Sequence, residues 1–393
     1  MVAMLATVVE SVTTILTFAS LFYFIAALWS ARSFVRRRAA ASDFAPGVSI
    51  LKPLKGFDPG MYEAFASHCQ QQYPGEYEVL FGVSSFDDPA VAAVDRLRDE
   101  FPTCRIRLFL CPERLGLNGK ISTVVQLATH ARHEYVIVND SDIHVSQRYL
   151  SRIMGGFAAA ERKPVGMVTA PYRGVAHGTV GSKMEALGIA TDFFPGVLTA
   201  LMMDGEIRFG LGSTLAVSRE ALAAAGGFEA LVDSLADDYE LGFRIAKAGF
   251  AVSLSREVVM TSVPPYRLPQ FFAHQLRWAR AVRDSRKLGY LGLGFTFGLP
   301  WAILNVFASG FGLASVALLS LTVAARVTMA LAIGVGMLND GQVLRDLWLL
   351  PLRDFCALWV WIWSFASDSV TWRGERFLLE NGRLVKPASK AAS

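Results

Sequence analysis

Cysteine and charge are what this chain has least of. Its four cysteines, Cys69, Cys104, Cys111 and Cys356, form no C-x-x-C pair and no ligand spacing. That excludes a disulfide-stapled scaffold and a cysteine-held metal, and suits a reducing compartment. Charged residues are 18% of 393, against 53% hydrophobic, and mean hydropathy is +0.37. This is too apolar for an ordinary soluble enzyme. The shortage of charge is local, because residues 11–31 and 288–325 contain no Asp, Glu, Lys or Arg at all. Both runs are long enough to cross a bilayer. No Lys or Arg precedes the first run either, whereas a cleaved secretory leader carries its positive charges there; a retained anchor is expected. Net charge is only +4, and no internal repeat appears. The basic cluster Arg32, Arg36, Arg37 and Arg38 reads as topology and headgroup attraction, not nucleic-acid binding.

What is present between the two apolar ends has ordinary charge density. The basic cluster after the anchor predicts an outside N-terminus and a cytoplasmic domain, hence a multi-pass protein of the cell membrane, the bacterial inner membrane in particular. The expected divisions are an anchor with its flank over 1–38, a globular domain over 39–263, an amphipathic interfacial helix over 264–287, membrane helices over 288–371 and a basic tail over 372–393. Apolar runs at 48–54, 78–83, 106–110 and 135–138 read as buried strands, with helical patterns at 90–101 and 122–131. That alternation predicts a mostly parallel sheet with helices on both faces, and ligands beyond the carboxyl ends of its strands. Residues 288–339 suffice for two crossings, with a turn at Gly310–Gly312 and Arg326 placed awkwardly in the second. Residues 347–367, interrupted by Pro351, Arg353 and Asp354, read as a third crossing or a re-entrant piece. The basic residues Arg373, Arg376, Arg383 and Lys386 favour a cytoplasmic tail, which three crossings would not give.

Several motifs fall at predicted strand ends. In VNDSDIHV, Asp140 and Asp142 flank a serine, either as a turn whose side chains bond the local backbone or as two carboxylates for one hard cation. Asp87-Asp88-Pro89-Ala90 fits a helix N-cap followed by proline, or a carboxylate accepting from the N–H of a ligand base. Asn118-Gly-Lys120 precedes a helix, where amides and a lysine can meet a diphosphate. Asp237-Asp238-Tyr-Glu240 opens another helix, as acids favoured by the dipole or as a general base. His274-Gln275-Leu-Arg277-Trp278 lies in the amphipathic stretch, as a snorkelling arginine beside an interfacial tryptophan or as part of a site.

Taken in order, KPLKG, DDPA, NDSD, DDYELG and the HQLRW box resemble the ceramide glucosyltransferase family, glycosyltransferase family 21, and the related bacterial glycosyltransferases of hopanoid synthesis. The resemblance covers about 48 to 283 plus the apolar ends. It implies a GT-A α/β domain, Rossmann-like, with an N-terminal transmembrane anchor and C-terminal transmembrane and interfacial helices. It further implies that Asp88 reads the uracil of a UDP-sugar and that Lys52, Asn118 and Lys120 serve donor binding. Asp140 and Asp142 would bind Mn²⁺ or Mg²⁺, and Asp238 would be the base. Arg277 and Trp278 would close over the donor, with Asp237, His274 and Gln275 near the acceptor or diphosphate. His274 stands where the family has Gln or Arg, Asp142 where the animal enzymes have Gly, and no histidine lies between Leu187 and Pro195 where those enzymes carry one. The implied reaction is inverting transfer of one sugar, UDP-glucose favoured, to a membrane-lipid hydroxyl. UDP-N-acetylglucosamine transfer to a hopanoid and processive polysaccharide synthesis are the alternatives.

Overall fold

The apolar runs do form strands, and they pair with one another. The computed structural model describes residues 2–36, 43–158, 162–372 and 374–386. Arg37 and Arg38 of the basic flank, Arg373 and the tail after Lys386 lie outside the described residues. By its internal contacts the chain forms two units: Ala39–Val175 with Glu206–Pro264 and Phe377–Ser393, and Met1–Arg38 with Ala176–Gly205 and Pro265–Arg376.

The first unit is built on a sheet. Strands β1 (Val48–Pro53), β2 (Tyr77–Val83), β3 (Ile106–Leu110) and β4 (Tyr135–Val138) run parallel in the order β3-β2-β1-β4, with Leu51 opposite both Leu80 and Val138. Val48, Ile50, Leu51, Val79, Leu80, Phe81 and Ile137 are wholly buried, as strands covered on both faces require. Helices Met61–Cys69, Ala90–Glu100 and Gly119–Ala128 lie between successive parallel strands. In the second of them Ala90, Ala93, Val94 and Leu97 form the buried stripe.

Further along come β5 (Ile143–His144), β6 (Val165–Thr169), β7 (Tyr172–Ala176), β8 (Leu215–Ser218), β9 (Ala251–Leu254) and β10 (Val259–Val263). The main sheet is completed in the order β4-β8-β6-β9, while β5, β10 and β7 form a separate sheet. β8 is antiparallel to both β4 and β6. The expectation of a mostly parallel sheet therefore holds with one reversal. The chain reaches β8 only after the excursion through 176–205, so no single crossover helix dictates its direction.

The second unit is helical and apolar. Three of its helices, Met4–Arg36, Val180–Asp204 and Leu313–Val335, are long and apolar enough to cross a membrane. Lys287–Thr296 and Gly298–Ala308 form a further pair bent by 53°. Along the first helix Thr13, Thr17 and Ser20 return their hydroxyls to carbonyls one turn back, which satisfies them in apolar surroundings. Asn305 reaches across to the Glu10 carbonyl at 3.0 Å and to Thr14 Oγ1 at 2.7 Å.

Two sequence expectations shift here. The globular domain was expected unbroken over 39–263, but 176–205 groups with the apolar unit. Lys183, Glu185 and Asp192 mask its span in sequence, and a π-helical turn at Ile189–Phe193 joins its halves. Residues 347–367 yield helix Leu350–Ser364, whose 15 residues make no span of their own. The turn expected at Gly310–Gly312 is present, with Gly310 and Phe311 both at φ 63°; for Phe311 that left-handed backbone is strained.

Candidate functional site

Carboxyl ends of β1 and β4 and the start of helix Asp237–Lys247 bring the acidic motifs of the first unit together. Lys120, in the first turn of helix Gly119–Ala128, is the link. Its Nζ lies 2.8 Å from Asp140 Oδ1 and 3.2 Å from Asp237 Oδ2. Burial by itself would lower the lysine, but Asp140 and Asp237 outweigh it and hold the ammonium above the usual range. Asp238 follows Asp237; its Oδ1 accepts from the Tyr239 N–H at 2.8 Å. A Cβ at Gly212 would stand 3.1 Å from Asp238 Oδ2, so the bare glycine leaves that carboxylate room. Burial lifts the Asp238 carboxyl to about 6, Asp237 adds to the rise and Lys120 opposes it.

Asp142 is raised to about 6 as well, by burial first and then by the charge of Asp140. The Thr261 hydroxyl, 2.5 Å from Asp142 Oδ2, works the other way. Ser141, between the two acids, donates to Asp58 Oδ2 at 2.7 Å. Among the described residues no three His, Cys, Asp or Glu side chains converge as a complete metal cage. Asp140 and Asp142 would still suit a hard divalent cation. Their oxygen donors suit it, and a cation there would offset the burial and the Asp140 charge that together raise Asp142.

Lys52 and Asn118 are turned inward. Lys52 is wholly buried, donates to the Asp140 carbonyl at 3.1 Å, and is lowered to about 7 by burial against the pull of Asp142 and Asp140. Asn118, equally buried, caps its helix by accepting from the Ile121 N–H at 3.1 Å and donates to the Ser234 carbonyl at 2.8 Å. Both bond to backbone groups of neighbouring loops. Asp88 accepts from Ala90 N–H at 2.9 Å, the helix-start bond of the local reading. It also accepts from Gly56 N–H, at 3.1 and 3.0 Å to its two oxygens, which ties KPLKG to DDPA.

The box residues belong to the other unit, on helix Leu268–Ser285, which Phe271 anchors as its one fully buried side chain. The rings of His274 and Trp278, one turn apart, are 5.1 Å apart, and Phe193 lies 6.3 Å from Trp278. His274 Nδ1 is 3.2 Å from Glu185 Oε1, and Gln275 Nε2 donates to Glu185 Oε2 at 2.7 Å. Arg277 sits on the same helix, partly buried. Sequence reading missed Thr261, Asp58 and Glu185. Each meets its partner across roughly eighty residues or more, and no local pattern marks such a pairing.

The chain is similar to known glycosyltransferases. Ceramide glucosyltransferase 3 of Caenorhabditis elegans is 26% identical over 357 residues, covering 87% of this chain and 74% of that protein. Ceramide glucosyltransferase 1 of the same organism is 22% identical over 88% and 74%. The solved mannosyltransferase PcManGT from Pyrobaculum calidifontis, in complex with GDP-Man and Mn²⁺, superposes with a TM-score of 0.53 at 20% identity. It covers 90% of this chain and 99% of its own, and shows a shared GT-A-like fold. The model of the family described as Glycosyl transferase family 21 matches residues 12–385. The chain belongs to that glycosyltransferase family.

Proposed function

We propose that this protein moves one sugar from a UDP-sugar, UDP-glucose first among them, to the hydroxyl of a membrane lipid of the ceramide kind, with inversion. The observation that carries the reading is the junction of NDSD and DDYELG through one lysine, Asp140–Lys120–Asp237, with Asp238 beside it. In this reading Asp140 and Asp142 hold Mn²⁺ or Mg²⁺, which supplies positive charge to the donor diphosphate. Lys120 gives up its hold on the acids and adds its charge to the departing diphosphate, and Asp88 receives the N–H of the uracil. Lys52 and Asn118 keep the loops beneath in place.

Asp238 takes the proton from the acceptor hydroxyl as that oxygen bonds to the anomeric carbon and the bond to the diphosphate breaks. A lipid hydroxyl is a poor nucleophile, so a carboxylate with a pKa near 6 is suitably basic at neutral pH. Displacement in one step inverts the anomeric carbon. Arg277 and Trp278 serve donor binding. The apolar spans and the lipid substrates named for the worm relatives support a lipid acceptor drawn from the bilayer. A cytoplasmic active face follows from the basic residues after the first span.

Mass spectrometry of lipids from a host with and without the gene tests this. One new monohexosyl lipid is expected. A hexosamine-bearing hopanoid would redirect both donor and acceptor, and a polymer would replace single transfer by processive synthesis.

A further inference from the structure

One connected set of charged side chains, bridged by the carboxamide of Gln275, joins four helices of the apolar unit. Its members include the residues that fit worst in sequence: Arg326 within an apolar run, Arg353 and Asp354 interrupting another, and His274 in place of Gln or Arg. Arg326 donates to Asp354 through Nε and Nη2 at 3.0 and 2.6 Å, to the Thr191 carbonyl at 2.8 Å and to Asp192 Oδ1 at 2.5 Å. Arg353 stands 3.3 Å from Asp192 Oδ2 and donates from Nη2 to Gln275 Oε1 at 3.0 Å. The other end of that carboxamide donates to Glu185 at 2.7 Å, and Glu185 also faces His274.

The backbone is adapted to this set. A Cβ at Gly188 would meet Arg353 Nε at 2.5 Å, so the guanidinium needs the glycine beneath it. Just beyond, Ile189–Phe193 makes a π-helical turn, a form that recurs where function demands an irregular helix. Gln275 is held at both ends, oxygen by a buried arginine and nitrogen by a buried carboxylate, which leaves its side chain one orientation. Successive helical residues turn by about 100°. Fixing Gln275 therefore fixes the rotation of its helix, and with it the direction of Arg277 and Trp278.

We propose that Glu185 and Arg353 are positioning residues for the Arg277–Trp278 segment, with Arg326, Asp354 and Asp192 holding Arg353 in place. The inference deepens the donor-binding role proposed above for that segment and rests on it. The test uses full-length protein in lipid nanodiscs, labelled with 5-fluorotryptophan, the Trp278 resonance being identified by its loss in Trp278→Phe. Gln275→Glu sets two carboxylates against each other; transfer per folded molecule should fall about tenfold or more and the Trp278 resonance should move. Combining it with Glu185→Gln re-forms the contact between positions 185 and 275 with donor and acceptor exchanged, while Arg353 donates to position 275 throughout, and both readouts should return most of the way.

Unchanged transfer in Gln275→Glu, or a loss that the double variant does not recover, overturns the proposal. So does a lowered melting temperature with transfer per folded molecule intact. If the wild type glycosylates no lipid while the fluorine signal still moves and recovers, the positioning stands and the transferase reading of the segment fails.

Discussion

Lys120 and Arg326 each stand between two aspartates, Lys120 between Asp140 and Asp237, Arg326 between Asp354 and Asp192. The two arrangements differ in what each cation has left to give. Arg326 spends its planar fork on a bidentate pair with Asp354, a backbone carbonyl and Asp192, so it cannot turn elsewhere without breaking several bonds at once. Lys120 is a point charge on a flexible stem, and either of its contacts can be exchanged for another anion. Asp140 remains 41% exposed, whereas Asp354 is 6% exposed. The first arrangement has contacts it can exchange; the second is a fixture.

The sharpest way to break that contrast is to remove the NDSD carboxylates, one of which is a Lys120 partner. Asp140→Ala and Asp142→Ala should each bring transfer to background while the protein still folds, and EDTA should do the same until Mn²⁺ or Mg²⁺ is returned. Full activity in chelator would reduce NDSD to a turn and Lys120 to a structural ion pair.

Asp238→Asn follows. Turnover should fall about 10²–10⁴-fold with UDP-sugar affinity nearly unchanged, measured by single-turnover transfer and binding on one sample. The pH profile has a definite sign. The base form predominates above about 6, so wild-type transfer should decline below that pH and hold above it. Asn at 238 should remove the base from that acid limb; a limb that persists unchanged belongs to another group, Asp142 through the metal if added Mn²⁺ shifts it, or Asp237 as the base if it does not.

A fixture behaves otherwise. Arg326→Leu leaves Asp354 buried without its partner and should cost about 3–5 kcal/mol of stability, read from thermal unfolding in detergent. Adding Asp354→Leu should restore much of it, because the buried pair is expensive to break and inexpensive to replace. A double variant no better than the single would mean that the charges are needed for more than each other.

The smallest effect is expected at Asn118→Ala. Loss of the cap should cost about 1 kcal/mol, with a modest fall in transfer because Lys120 sits two residues on. A collapse of transfer with no change in stability would move Asn118 from support into direct contact with the donor.

Much of the architecture was legible before any coordinates. Periodicity and apolar runs placed β3 and β4 to the residue and β1 and β2 to within one, since a strand buried on both faces has no choice but a continuous apolar run. The absence of charge over 11–31 and 288–325 marked spans for the same reason, that uncompensated charge is costly in hydrocarbon. Helix Val180–Asp204, long and apolar enough to cross a membrane, does not stand out in the sequence because it carries Lys183, Glu185 and Asp192, which are compensated there by partners far along the chain.

Local chemistry, then, was written in the sequence: which strands are buried, which helix begins at Asn118, where two acids leave a strand together. Decisions that depend on distant partners were made only by tertiary structure. Thr261 on Asp142, Lys120 between Asp140 and Asp237, and Gln275 between Glu185 and Arg353 each join segments brought together by topology. A residue type records its own preference for water or oil, while a pKa near 6 or a fixed carboxamide records its neighbours, and those exist only once the chain has folded.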